Sequence, residues 1–248
     1  MSQNRFVNRE ISWLDFNARV LQEAQDENVP LIERLRFIGI FSNNLDEFYK
    51  VRYATVKRIA RLEEAKNRVF GDRPAEVLLK EITNKTIALQ KESLDTLNAL
   101  HAALEQENIF IVKEDEINEK QRSFINTYFA QEVGPSLVTL MLNNIESISR
   151  IKDVNAFLAV RMELDAEKHP FLDPIQFALI EIPSSLKRFV VLPSVEGKTH
   201  VMLLDDLIRT QLSTIFDVFQ NKTTEAHMVK FSRDAELDID DDLSKSYV

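Results

Sequence analysis

After Gly71-Asp72-Arg73-Pro74 the chain reaches Gln106 without another glycine or proline. Within that stretch Leu78, Ile82, Leu89, Leu97, Leu100 and Leu104 recur at helical intervals. An uninterrupted 3.6-residue period of this length has one solution, a single long helix. At about 1.5 Å per residue it is roughly 40–50 Å long. Its apolar stripe has to be covered by partners of similar reach, so the rest of this half must be helical too.

The residues before it meet that demand. A helix is expected from Asn44 to about Phe70, with Leu45, Phe48, Tyr49, Val56, Ile59 and Ala60 on its apolar face. The Gly–Pro punctuation that follows turns it back against the long helix as an antiparallel hairpin. Upstream, Ser12 is read as an N-cap, with Asp15 three residues on. Trp13, Phe16, Val20 and Ala24 then share one side, and Leu14, Ala18 and Leu21 an adjacent one. That helix stops near Asn28, and Pro30 opens another from Leu31 to Ser42.

The second half has a different texture. Ile117, Phe124, Tyr128, Phe129 and Val133 make one more amphipathic helix. After Gly134-Pro135 come short runs rich in β-branched or aromatic residues, at 156–164, 175–182, 189–192, 200–204 and 227–231, with prolines between several of them. Asp205 or Asp206 is read as the cap of a helix through Phe219. The expected fold is mixed: an all-α N-terminal helical bundle over 1–107, then an incomplete α+β head domain over 108–248. The charge divides in the same place. Residues 1–107 carry 16 Lys+Arg against 17 Asp+Glu, a net of −1, and the remainder 15 against 23, a net of −8.

These features exclude several functions. There are no cysteines, hence no disulfide and no thiolate metal site. Four glycines leave no Gly-rich phosphate loop, neither GxGxxG nor GxxxxGK[ST]. No apolar run approaches the roughly 18 residues of a membrane span, and the N-terminus has no signal-peptide core. A cytoplasmic location is expected. The net charge of −9 argues against broad nucleic-acid binding. His101, His169, His200 and His227 have neither metal-ligand spacing nor a nucleophile's context, and are read as structural or surface residues. Asp238, Asp240, Asp241 and Asp242 are read either as a solvated tail or as a gathering point for Mg²⁺.

The one conspicuous polar junction is FSNNLDEFYKVR, Phe41 to Arg52. Two adjacent asparagines disfavour a helix interior, because their amides compete for backbone hydrogen bonds. Asn44 is expected to cap the third helix in a box with Glu47, which leaves Asn43 unexplained. Asp46 and Glu47 would then occupy the first turn and repel a phosphate there, so a ligand at Asn44 would offer its base or sugar edge. Cap and ligand contact are both open. Lys50, Lys57, Arg61 and Arg68 fall within about 40° at the helical step, and form either a track for a polyanion or a solvated face. Arg52 projects from the apolar side, and either pairs with a buried carboxylate or meets a ligand.

The same residues carry a dense resemblance to the N-terminal part of bacterial polyphosphate kinases. It runs through NREISWLDFNARVLQEA at 8–24, PLIERLRFIGIFSNNLDEFYKVR at 30–52, ALIEIPSSLKRFVVLP at 178–193 and FSRDAELDID at 231–240, and covers essentially the whole chain in order. The resemblance implies a helical domain and a head domain, followed in the family by two phospholipase D-like domains. It implies transfer of the ATP γ-phosphate to a histidine and on to inorganic polyphosphate, reversibly, with ATP/ADP and Mg²⁺. It implies a homodimer partly through the head. None of the four histidines here lies in a segment matching the phosphorylated one, so this stretch is not expected to catalyse alone. The family's ATP contact on the second asparagine of SNNLDEF falls on Asn44. The rival reading is a non-catalytic helical scaffold that binds a protein partner.

Overall fold

A computed structural model of the 248-residue chain describes residues 7–61, 69–70, 73–143, 151, 155–220 and 223–233. The chain falls into two compact units. One is Met1–Leu104 together with Ser232 onward, the other Glu105–Phe231. The α-then-α+β character expected from the two textures is present: helices dominate the first unit and two sheets the second.

Helix α1 spans Arg9–Gln25, one turn longer at its start than the sequence suggested. Asn8 is the cap rather than Ser12. Its Oδ1 accepts from the Glu10 amide at 2.9 Å, and the Ser12 amide already donates to the Asn8 carbonyl. The better cap lay upstream, with Glu10 in the first turn to suit the helix dipole. In the turn that follows, Asp26 accepts from the backbone and then the side chain of Asn28, which holds its carboxyl below the usual range.

Helix α2 spans Leu31–Phe48 and runs straight through Asn43 and Asn44. The break expected there is absent, and Asn44 caps nothing. The irregularity comes one turn later as a π-helical turn at Tyr49–Tyr53, after which α3 continues over Ala54–Arg61. Two asparagines cost a helix interior only a few tenths of a kcal/mol each relative to ordinary residues, which one good side-chain hydrogen bond offsets. Val69–Phe70 (β1) and Arg73–Pro74 (β2) pair antiparallel, so the third helix does not extend to Phe70. Helix α4 spans Ala75–Gln106 as expected. Leu14 and Leu21 of α1, Phe41 and Phe48 of α2, and Leu78 and Ile82 of α4 are buried in one cluster. Each such side chain contributes about 1.5–3 kcal/mol. Thr86 and Thr96 lie on the same buried stripe, their hydroxyls bonded to carbonyls of the preceding turn.

In the second unit α4 ends and Asn108 takes the left-handed region (φ 60°), the usual exit from a helix, before β3, Ile109–Val112. Helix α5, Glu119–Tyr128, starts in a capping box between Asn118 and Gln121. It passes through a π turn at Phe129–Val133 to β4, Val138–Met141. Strands β5 (Ala156–Glu163), β6 (Ile175–Glu181), β7 (Phe189–Val195), β8 (Lys198–Leu203) and β9 (Thr223–Lys230) occupy the five runs identified as strands. The sheets are β3-β8-β7, with β3 parallel to β8, and the antiparallel β4-β6-β5-β9. Glu196 and Gly197, both at positive φ, close the β7–β8 hairpin as its twist requires.

Alternation along the strands divides their residues by face. Leu158, Val160 and Met162 of β5 and Ile180 of β6 join a core with Ile125, Met202, Leu207 and Phe216, while Phe157 and Leu179 form a separate cluster with Ile151. Neither Asp205 nor Asp206 caps a helix. Helix α6 is Leu204–Thr210, both acids lie buried in its first turn, and the helix breaks at Gln211 before α7, Leu212–Ile215.

Candidate functional site

At the junction of α1 and α2 two amides are linked in series. Asn17 is fully buried, and its Nδ2 donates to the Phe41 carbonyl at 3.1 Å. Its Oδ1 accepts from Nδ2 of Asn44 at 3.0 Å. The polarity of this chain follows from chemistry. A backbone carbonyl only accepts, so Asn17 must point its NH₂ there and its oxygen at Asn44. Asn44 must then turn its own NH₂ toward Asn17. Its Oδ1 has no donor among the described residues, and the residue is half-buried. Asn43 is exposed, and nothing in the structure explains it.

The π turn lies immediately below. Phe48 stacks on Trp13 of α1, ring centroids 5.0 Å apart, and Tyr49 and Tyr53 meet edge to face at 4.8 Å. The Tyr49 hydroxyl donates to Thr86 of α4 at 2.7 Å. Arg52 donates to Glu10 at 3.0 Å and lies 6.0 Å from the Trp13 ring. Glu10 is only 4% exposed and takes Arg9 on its other oxygen at 3.1 Å. Of the two fates open to Arg52, the structure shows the pairing with a buried carboxylate. Asp46 pairs with Lys50 at 3.3 Å and accepts from the Ser232 hydroxyl at 2.7 Å. The motif is therefore tied to α1, to α4 and to the segment that begins at Ser232.

The polyphosphate kinase N-terminal domain model matches residues 6–112, and the polyphosphate kinase middle domain model matches 120–248. The chain belongs to the polyphosphate kinase family. It is 41% identical over 239 residues to the polyphosphate kinase of Vibrio cholerae, covering 94% of this chain and 33% of that protein. It is 36% identical to that of Escherichia coli K12 over the same shares of each. The crystal structure of the polyphosphate kinase from Porphyromonas gingivalis superposes with a TM-score of 0.78 at 26% identity, over 95% of this chain and 34% of that one. The chain thus spans about a third of the length of these polyphosphate kinases.

Within this polyphosphate kinase region the four described cations of the five marked ones divide. Lys50 and Arg52 are half-buried and paired with Asp46 and Glu10. Lys57 and Arg61 are exposed on α3, one turn apart, with Lys57 5.8 Å from the Tyr53 ring. Lys50 lies within the π turn, so a constant 100° step does not carry from it to this pair. Arg68 lies outside the described residues, as do Asp238, Asp240, Asp241 and Asp242. Among the described residues no three His, Asp or Glu gather as a metal site, and Asp46 pairs with Lys50 and accepts from Ser232. The histidines lie on separate elements: His101 on α4, His169 in the loop before β6, His200 on β8 stacked on Phe110, and His227 on β9. No helix of the described residues is long and apolar enough to cross a membrane.

Sequence reasoning missed Asn17 and Glu10. A signal for both was present. Glu10, Leu14, Asn17, Leu21 and Ala24 are the buried stripe of α1, and two polar residues on such a stripe need partners.

Proposed function

We propose that this chain is the nucleotide-covering region of a polyphosphate kinase that moves the ATP γ-phosphate reversibly, through a phosphohistidine, to inorganic polyphosphate. Its own contribution is to meet the nucleoside end of ATP at Asn44. The observation that supports this is the Oδ1 of Asn44, an acceptor without a donor among the described residues, on an amide whose other end bonds to Asn17. A phosphate oxygen has nothing to donate to it, whereas the adenine amino group and the ribose hydroxyls do. The exposed Glu47 adds negative charge beside it, which also disfavours phosphate.

The phosphorylated histidine, Mg²⁺ and the phosphate contacts belong on this reading to the part of the family's proteins beyond the third matched here. On the same reading the enzyme is a homodimer held partly through this chain's own head unit. Lys57 and Arg61 are the exposed cations left to guide a polyanion. The scaffold alternative predicts no nucleotide effect on the chain. The test is to extend the reading frame past codon 248, express the product, and compare it with its Asn44→Ala variant. Polyphosphate synthesis with a KM for ATP raised about three- to tenfold in the variant, the worth of one hydrogen bond, is expected. A product without nucleotide-dependent activity overturns the kinase reading. An unchanged KM overturns the role of Asn44. In the same enzyme, changing Lys57 and Arg61 to Gln should flatten the salt dependence of polyphosphate binding. An unchanged salt slope makes them a solvated face.

A further inference from the structure

Asn44 alone does not determine what it recognises. A terminal amide turns about its last bond, and its two ends differ in chemistry but scarcely in shape. Free to turn, it would offer a ligand a donor as readily as an acceptor. We propose that Asn17 is a positioning residue that locks the Asn44 amide with its oxygen outward, and so makes this end of the site select ligands that bring a donor. The inference rests on the nucleotide reading of Asn44.

Burial and the direction of two hydrogen bonds single out Asn17. Asn17 sits between Leu14 and Leu21 on the inner stripe of α1, with no exposure at all. Leucine would fill such a position at no polar cost, whereas a buried amide has to be satisfied. The Phe41 carbonyl it binds lies one helical turn before Asn44 on the same helix, and the two contacts are 3.1 and 3.0 Å. One buried side chain thus reads the backbone of α2 and passes a fixed polarity to the next turn. If it served only to join α1 to α2, the Phe41 bond would be enough. The second bond goes to a half-buried side chain whose oxygen has no donor among the described residues.

The donor that meets Asn44 is either the adenine amino group or a ribose hydroxyl. Purine riboside triphosphate lacks the first, and 2′-deoxy-ATP and 3′-deoxy-ATP each lack one of the second. In the full-length enzyme, KM and kcat for ATP and these three analogues are measured in the parent, Asn17→Leu, Asn44→Ala and the double variant. Whichever analogue lacks the donor should have a KM raised about five- to tenfold in the parent. Asn44→Ala should erase that penalty. Asn17→Leu should reduce it at least twofold and raise the KM for ATP with kcat held, yet change neither in the Asn44→Ala background, because it acts through Asn44.

An equal KM effect of Asn17→Leu with and without Asn44 would mean that Asn17 only packs, and the inference falls. If Asn44→Ala shifts KM while Asn17→Leu leaves KM and the analogue penalty at parent values, the inference falls and the nucleotide reading stands. If Asn44→Ala shifts nothing, both fall. Should Asn17→Leu fail to fold, Asn17→Ser carries the same test. Its hydroxyl stops one bond short of both ends of the amide and bonds to a carbonyl of its own preceding turn, so it stays satisfied but no longer orients Asn44.

Discussion

Both units bury acids in the first turn of a helix, and they compensate them unequally. Glu10, second in α1, has an arginine on each oxygen, Arg9 at 3.1 Å and Arg52 at 3.0 Å. In α6 Asp205 and Asp206 are adjacent, 6% and 8% exposed. Arg188 serves the first at 3.2 Å and Arg209 pairs with the second. There the carboxyl of Asp206 is pushed above the ordinary aspartate range, by burial first and by the charge of Asp205 next, and Arg209 does not reverse it. One cation per acid is too little when the acids are neighbours and water is scarce. The helical unit uses its charge to fasten α1 to the π turn, while the head retains a charge that works against its own folding.

The comparison breaks most visibly at Arg52. Replacing it with alanine leaves Glu10 buried with Arg9 alone, whose side chain is 81% exposed, and removes the cation from the Trp13 ring. A fully buried pair broken on one side costs about 3–5 kcal/mol. Arg52 keeps 29% of its side-chain surface, so a loss of about 2 kcal/mol is expected after solvent screening. Trp13 is the chain's single tryptophan and lies in this unit, so urea unfolding followed by its fluorescence reads the effect directly. Arg9→Ala should cost under about 0.5 kcal/mol. Equal effects from the two arginines would dissolve the distinction between anchor and ornament.

A smaller effect sharpens the same point. Tyr49→Phe removes a neutral link between the π turn and α4 at Thr86. Thr86 keeps its own bond to the Thr83 carbonyl, so no donor is orphaned and the loss should be about 1 kcal/mol. A loss as large as that of Arg52→Ala would show that any polar tie, charged or not, holds this turn.

Much of this was readable in advance, and the failures have a pattern. The stripe of α4 and the five strand runs are local signals, complete within a few residues. The Asn44 amide, the π turn and the Arg52–Glu10 pair are settled by partners 27 and 42 residues away. Local rules saw two asparagines and ended a helix there. The structure continues the helix because Asn17 accepts from one of them. Strand β3, four residues of Ile109–Val112, escaped notice because a run that short is an edge only once β8 lies beside it. Strand β4 is mostly exposed, so it lacks a buried alternation to betray it. The break of the last helix at Gln211 is likewise tertiary. Its amide donates to Asn126 of α5 at 2.8 Å, a contact no window of sequence around Gln211 contains.

The smallest effect tests the under-compensated side, and its sign can be worked out. An acid whose folded value lies above its unfolded one binds its proton more tightly in the folded state. Stability from that source is therefore full below the ordinary aspartate value and is lost as pH rises through the raised one. Asn at this position cannot ionise, yet it keeps an oxygen to accept from Arg209. Asp206→Asn should match the parent in acid, where both side chains are neutral. It should pull ahead of the parent as the pH rises from the ordinary aspartate value through the raised one, with the gain levelling off above that, once the parent's carboxyl is fully ionised in the folded state. Urea unfolding by circular dichroism at several pH values, in the Arg52→Ala background so that the two units melt apart, measures the gap. A gap that closes as the pH rises, or a variant less stable at neutrality, would mean that Arg209 compensates Asp206 as fully as two arginines compensate Glu10, and the contrast between the units would vanish.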